Sequence, residues 1–268
     1  MPKLNVASGS LVNYEVLNPD AEECVVLIHG MFGNLSQFYL TIAPFLAQHY
    51  KVVIFDLKSH GRSEKSESGY DLVSLSNDVK ELMDALSIQK SSLLGFSYGA
   101  LVALKFAMLN PARTTKVVAI EVPDKPIHDF KKRGTYTFDD FWGFVIYLNT
   151  NIRENFFRSK RQIENTFKVY DYIFNQTTFS DDMNAEPEFV ESDYKMVKSP
   201  VLLAFGKASP CFGEFNRIKN WIKNADIYLD DGDHGFFMDK VEASSSRVIS
   251  FLAAPVKSES VPKILQDA

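Results

Sequence analysis

The sequence predicts an α/β protein, with a mostly parallel, doubly wound sheet interrupted once by a helical insertion. Three observations predict it. Short apolar, β-branched runs recur without polar alternation, helical periods lie between them, and the rhythm lapses once over a long aromatic stretch. Runs of this kind form strands buried on both faces, as in a parallel sheet. Strand alternating with helix places helices on both sides of that sheet. The 268 residues suffice for one large domain, or for a core with one sizeable insertion.

Taken in order, Leu11–Val16 alternates and predicts part of an antiparallel edge hairpin. Val25–Ile28, Val52–Phe55, Ser92–Phe96, Val117–Ile120 and Val201–Phe205 predict the buried strands, and Ile227–Leu229 is a further apolar run before a final helix. Helical periods cover Ser36–Gln48, Leu72–Leu86, Tyr98–Leu109 and Phe215–Lys223. Between Val122 and Lys198 no buried strand is legible, yet these 77 residues carry 16 of the 35 aromatics, well above a proportional share. The stretch predicts a helical insertion with an apolar face. The simple reading of any one ring is packing within that insertion; the sharper one is that several line an apolar pocket. The tail Ala253–Ala268, rich in Pro, Ser and Lys, reads as a loose end.

Composition excludes several classes. With 46% hydrophobic and 24% charged residues the chain is neither disordered nor collagen-like. No apolar run approaches the roughly 18 residues of a membrane helix, and Lys105 interrupts the longest candidate, Ala100–Leu109. The start, Met1-Pro2-Lys3-Leu4-Asn5, lacks the apolar stretch of a secretory signal, so a cytoplasmic setting without stable membrane insertion is expected. Cys24 and Cys211 offer neither a disulfide framework nor C-x-x-C spacing. A net charge of -5 argues against nucleic acid as a partner. H-E-x-x-H, G-x-G-x-x-G and G-x-x-x-x-G-K-[ST] are missing, so neither a metal nor a cofactor is expected.

Gly95-Phe96-Ser97-Tyr98-Gly99 carries the strongest chemical signal, a G-x-S-x-G pattern between an apolar strand and a helical run. A nucleophile at the top of a sheet needs such a tight strand-to-helix turn, with glycines where chains pass closely. The helix that follows opens with free N–H groups and a positive dipole end. After Val25–Ile28 comes His29-Gly30-Met31-Phe32-Gly33, a bend whose N–H groups can face a developing oxyanion. The backbone of Met31 and of Tyr98 is assigned to that hole, and His29 reads as structural. In Asp56-Leu57-Lys58-Ser59-His60-Gly61-Arg62-Ser63, Asp56 and Ser59 are expected to tie down a loop, with Arg62 pairing nearby. Lys131-Lys132-Arg133 and Arg158-x-Lys160-Arg161 read as solvated faces, the alternative being attraction of an anionic substrate such as the phosphates of coenzyme A.

His29-Gly30, Asp56…Ser63, Gly95-x-Ser97-x-Gly99 and Gly232-Asp233-His234, in this order, resemble the α/β-hydrolase superfamily. The resemblance runs from Val25 to about Leu252, and implies that the insertion is a cap after the sixth strand. The implied organisation is a discontinuous core over 1–121 and 199–252, a cap over 122–198 and a tail over 253–268. More narrowly the chain is similar to compact bacterial carboxylesterases of the YbfF type, which also hydrolyse acyl-CoA thioesters. That match rests on His29–Gly33, on Ala119-Ile120-Glu121 and on Gly206-Lys207-Ala208-Ser209-Pro210.

In the family's order the base comes last, which among His29, His49, His60, His128 and His234 selects His234. The acid departs from the common pattern, because Ser209 stands at the usual acid position after Gly206. The YbfF-like esterases carry theirs at the end of the sixth strand, which is Glu121 here; Asp124 is the alternative, and Asp231 and Asp233 read as loop-shaping residues. Phe32, Phe96, Trp142 and Phe236 are the candidate pocket residues. The implied activity is hydrolysis of a small ester or thioester. A C–C bond hydrolase or a cofactor-free haloperoxidase could use the same residues, and a ligand receptor could keep the fold without turnover. Oligomeric state is not legible.

Overall fold

The computed structural model describes residues 3–123, 130–152, 159–223 and 225–255. Their strands are β1 (Lys3–Asn5), β2 (Leu11–Leu17), β3 (Cys24–Ile28), β4 (Lys51–Phe55), β5 (Ser91–Phe96), β6 (Thr114–Ile120), β7 (Val201–Gly206) and β8 (Asp226–Asp230). They form one sheet in the order β1-β2-β4-β3-β5-β6-β7-β8. The first two are antiparallel to their neighbours, which is the edge hairpin the alternation predicts. From β4 to β8 every pairing is parallel.

Strand alternation divides the interior into two cores. Val26 and Ile28 of β3, Val53 and Phe55 of β4, and Val117 and Ala119 of β6 face one core. Their sequence neighbours Val25, Leu27, Val52, Ile54, Val118 and Ile120 face the other. Both faces are therefore dry, which is why these strands read as unbroken apolar runs. Each fully buried Val, Leu or Ile contributes about 1.5–3 kcal/mol.

Short helices α1 (Ser36–Tyr39) and α2 (Ala43–Leu46) cover the second core, with α10 (Phe236–Asp239) and α11 (Val241–Ala253). The single helix predicted over Ser36–Gln48 is thus split. Pro44 falls in the first turn of α2, where its missing N–H and its ring forbid a continuous helix through Leu40. On the other face lie α3 (Leu72–Ala85) and α4 (Tyr98–Leu109), close to their predicted limits. Among the described residues, the stretch between β6 and β7 holds α5 (Phe138–Tyr147), followed by a π-helical turn (Leu148–Ile152), then α6 (Lys160–Gln176), α7 (Phe179–Ala185) and α8 (Glu191–Tyr194). Phe141, Val145, Tyr170 and Phe179 join the first core, so these helices share its packing. Helix α9 (Phe212–Ile218) begins three residues before its predicted start. The Ser209 hydroxyl accepts the Cys211 N–H at 3.0 Å and turns the chain into the helix early. Of the predicted tail, residues 256–268 lie outside the described residues.

Helix α4 presses directly on the sheet. A Cβ on Gly99 would fall inside 3.0 Å of the carbonyl oxygens of Ile28 and His29, and one on Gly95 inside 3.0 Å of the Gly99 carbonyl. Backbone cannot yield to such overlap as a flexible side chain can. Gly99→Ala is expected to lower unfolding free energy by about 3 kcal/mol or more. Gly143→Ala, in α5 with nothing within 4 Å of the added carbon, should instead be neutral or stabilising by up to about 1 kcal/mol. Urea unfolding of the two variants checks this, and equal midpoints would contradict it.

Candidate active site

Register brings the candidate residues to one edge. Phe96 pairs with Ile120, and Ile120 with Ala204, so Ser97 and Glu121 emerge side by side where β5 and β6 end. Gly206 pairs with Asp230, which starts the loop carrying His234 at the same edge.

Ser97 has φ 53° and ψ -121°, a conformation that costs a residue with a side chain about 1–3 kcal/mol. It is pinned from both sides. The Ser97 N–H donates to the Ile120 carbonyl at 2.8 Å, and the Ser97 carbonyl accepts from the Ala100 N–H at 2.8 Å. Ser97 itself remains half-buried, so its hydroxyl is reachable. Tyr98 opens α4, where its N–H has no intrahelical acceptor.

Glu121 also takes a left-handed backbone, φ 55°, and is fully buried. Its carboxylate accepts hydrogen bonds from the Gly206 N–H, the Ser209 hydroxyl and His234 Nδ1, the last at 3.0 Å. Both oxygens are satisfied, as a buried carboxylate requires. Nδ1–H facing a carboxylate leaves Nε2 as the acceptor nitrogen, which is the tautomer a general base needs. The imidazole lies against the ring of Phe96, centroids 4.9 Å apart, immediately before Ser97. Asp231 pairs with Lys207 at 2.7 Å on the surface, and Asp233 accepts the Gly235 N–H at 2.8 Å. Asp124 and His128 lie outside the described residues.

The bend after β3 is held by two histidines. His29 donates from Nδ1 to the Gly30 carbonyl at 2.7 Å and accepts the Leu57 N–H on Nε2 at 3.0 Å. His60 donates to the Lys58 carbonyl at 2.9 Å and accepts the Phe32 N–H at 3.1 Å. With the Phe32 N–H taken, the Met31 N–H donates to no group among the described residues and is free to meet an oxyanion. Asp56 accepts from the backbone of Leu35 at 2.7 Å and of Arg62 at 2.8 Å, and from the Asn13 side chain at 2.7 Å. Ser59 meets the Tyr70 hydroxyl at 2.6 Å and accepts the Ser66 N–H at 2.9 Å.

The aromatic candidates separate. Phe32, with φ 58°, turns toward the inserted helices and packs on Phe144 at 5.2 Å, Tyr170 at 5.6 Å and Phe174 at 5.9 Å. Phe96 lies beneath His234. Trp142 stacks on Phe138 with 44% of its surface exposed, outside that cluster. Phe236 is buried in the second core against Tyr228 and Phe237, because Gly232 and Phe236 pack where the loop turns into α10. The structure therefore brings Phe32 and Phe96 to the site but not Phe236. Lys131 pairs with Asp140 and Arg133 donates to the Asn175 and Gln176 carbonyls, while Arg158 lies outside the described residues. Sequence reading passed over Phe144, Tyr170, the His60 acceptor and the Ser209 donor. Only the pairing of Ser209 with the displaced acid had a signal, its place at the usual acid position.

A family model described as "alpha/beta hydrolase fold" matches residues 23–165, more than half of the chain, and the chain belongs to that family. It is 28% identical over 137 residues to a putative esterase/lipase of Haemophilus influenzae, covering 50% of this chain and 47% of that protein. It is 36% identical over 122 residues to the 2-hydroxy-6-oxo-6-phenylhexa-2,4-dienoate hydrolase of Burkholderia cepacia, covering 43% and 42%. The chain thus spans less than half the length of these curated relatives. A hydrolase structure from Pseudomonas aeruginosa PA01 superposes with a TM-score of 0.75 at 19% identity, covering 94% of this chain and 98% of that one, a likeness of fold. Among the described residues no helix is long and apolar enough to cross a membrane.

Burial holds the His29 imidazole down at about 4 and His60 at about 3, so both rings are neutral in the folded protein. The unfolded chain takes up their protons below about 6.5, whereas the folded protein does not until near 4 and 3. Their contribution to stability is therefore complete above 6.5 and is lost as pH falls toward those values. Between pH 7 and pH 5 unfolding free energy should drop by on the order of 2 kcal/mol per histidine. Denaturant titrations at the two pH values measure this, and equal stabilities would exclude it.

Proposed function

We propose that this chain is a serine hydrolase that cleaves short- to medium-chain carboxylic esters or acyl thioesters. The observation that carries the reading is the Glu121–His234 hydrogen bond of 3.0 Å beside a strained serine elbow. In this reading Ser97 Oγ attacks the acyl carbon while His234 Nε2 takes its proton. The N–H groups of Met31 and Tyr98 hold the oxyanion, and Glu121 stabilises the imidazolium. His234 then protonates the departing alcohol or thiol. Water, deprotonated by the same nitrogen, attacks the acyl-enzyme, and the carboxylic acid leaves with Ser97 restored. The resemblance to the putative esterase/lipase supports the substrate class. The family match supports a small-molecule substrate, and the net charge of -5 argues against nucleic acid.

A C–C bond hydrolase is the second reading, favoured by the 36% identity to the Burkholderia cepacia enzyme. Turnover of p-nitrophenyl acyl esters against that of a vinylogous diketone separates the two.

Ser97→Ala should abolish labelling by a fluorophosphonate and nearly all turnover, leaving only what an oxyanion hole supplies. Retained hydrolysis would falsify the nucleophile. Glu121→Gln keeps the shape but removes the charge, and kcat should fall about 10³–10⁴-fold, or roughly 4–5.5 kcal/mol. Ser209→Ala should cost about tenfold or less, since its hydroxyl carries no charge in the transition state. A reversed order of these two losses moves the acid elsewhere. Across an acyl series, each added CH₂ should improve kcat/KM by up to about 0.8 kcal/mol until the cleft ends, at about C8. A maximum on long-chain emulsions contradicts that limit.

A further inference from the structure

Cys211 brings its Sγ to 3.5 Å from Nδ1 of His234, the nitrogen that also faces Glu121 at 3.0 Å. One ligating atom from each of these three side chains lies within 4.8 Å of the other two. They arrive from the end of β6, the turn before α9 and the loop after β8, so no local spacing announces them. The carboxylate is explained by its role beside the imidazole. The thiol is not, since it is a weak hydrogen-bonding group.

The sulfur-to-nitrogen spacing of 3.5 Å matches a borderline-soft divalent cation. Tetrahedral Zn²⁺ with Zn–S about 2.3 Å and Zn–N about 2.0–2.1 Å sets sulfur and nitrogen about 3.5 Å apart. With Zn–O about 2.0–2.2 Å it sets nitrogen and oxygen about 3.4 Å apart, a few tenths of an ångström more than the present hydrogen bond. We propose that Glu121, Cys211 and His234 form a binding site for a Zn²⁺-class cation that switches the hydrolase off. Ser209 Oγ, 3.5 Å from Nδ1, or a water completes the coordination. Mg²⁺ and Ca²⁺, which take oxygen ligands, are refused by the thiolate. Cys211 is half-buried and the His234 side chain keeps 12% of its surface exposed, while Glu121 is fully buried beneath them.

Binding releases one proton to solvent, that of the Cys211 thiol, while the imidazole proton moves from Nδ1 to Nε2. The imidazole metallated on Nδ1 carries its one proton on Nε2 and has no lone pair left to accept the proton of Ser97. Glu121 is consumed as a ligand in the same event. Inhibition, unlike binding, rests on the hydrolase reading above.

Cobalt reads the site directly. Titrating Co²⁺ into the metal-free protein should raise a thiolate-to-cobalt charge-transfer band that saturates at one equivalent and is displaced by Zn²⁺. Cys211→Ser and Cys211→Ala should lack the band; Cys24, buried in β3 with its thiol pushed up to about 12, is not a competing ligand. Ester turnover of the wild type should fall with Zn²⁺ and return with EDTA. In Cys211→Ala, referred to its own metal-free rate, the Zn²⁺ needed for half-inhibition should rise by about tenfold or more. A wild-type protein without the band, or a Cys211→Ala protein as sensitive to Zn²⁺ as wild type, overturns the site. A band with undiminished turnover overturns the switch. The band needs no substrate, so a failed hydrolase reading shows in the Ser97 labelling and leaves the cobalt result standing.

Discussion

The carboxylate of Glu121 is the point on which the upper edge of the sheet depends. It accepts hydrogen bonds from the Gly206 backbone, the Ser209 side chain and the His234 ring, thereby joining the ends of β6 and β7 to the loop after β8. A charge buried this deeply is tolerable only when fully partnered, and hydrogen bonds to a charged group are worth about 1.5–3 kcal/mol each. The same three donors that make the burial affordable also fix the carboxylate opposite Nδ1. Structural support and the proposed catalytic role thus come from one arrangement.

Much of the fold was legible because it rests on periodicity. Val25–Ile28 and Val52–Phe55 read as buried strands since each face meets its own core. Ser97 was legible because its elbow needs glycines at fixed offsets, and their cause is backbone contact at Gly95 and Gly99. Glu121 was legible only through a resemblance, since nothing local distinguishes an acid at a strand end. The split of the first helix was written in Pro44, whose effect the apolar spacing concealed. Phe236, near His234 in sequence, packs in the second core against Tyr228 and Phe237 at the start of α10, a placement that its position in the chain does not announce. Contacts such as Cys211 with His234 depend on register among three strands, and no window along the chain contains that information.

The inserted helices meet the bend after β3 through Phe32. Its ring packs on Phe144, Tyr170 and Phe174, while its N–H is held by neutral, buried His60. The inserted helices and the backbone beside Met31 are therefore joined through one residue. Aromatic contacts of this kind add about 0.5–1.5 kcal/mol beyond the area they bury. Protonation of His60 would remove the acceptor that fixes this bend, which ties the geometry of Met31 to the dryness of the loop beneath it.

Ser97 and Glu121 sit where strands end and Phe32 in the bend after β3, with φ of 53°, 55° and 58°. L-residues other than glycine rarely settle there, and each such placement costs about 1–3 kcal/mol. Glycine would relieve the strain at any of the three, yet it would also delete the side chain that the position exists to present. On the proposed hydrolase reading, thermal robustness and turnover therefore pull on Ser97 and Glu121 in opposite directions. A lineage drifting toward a silent, purely structural role has a short uphill path in stability through these positions, so their side chains are an inexpensive record of whether the site is still in use.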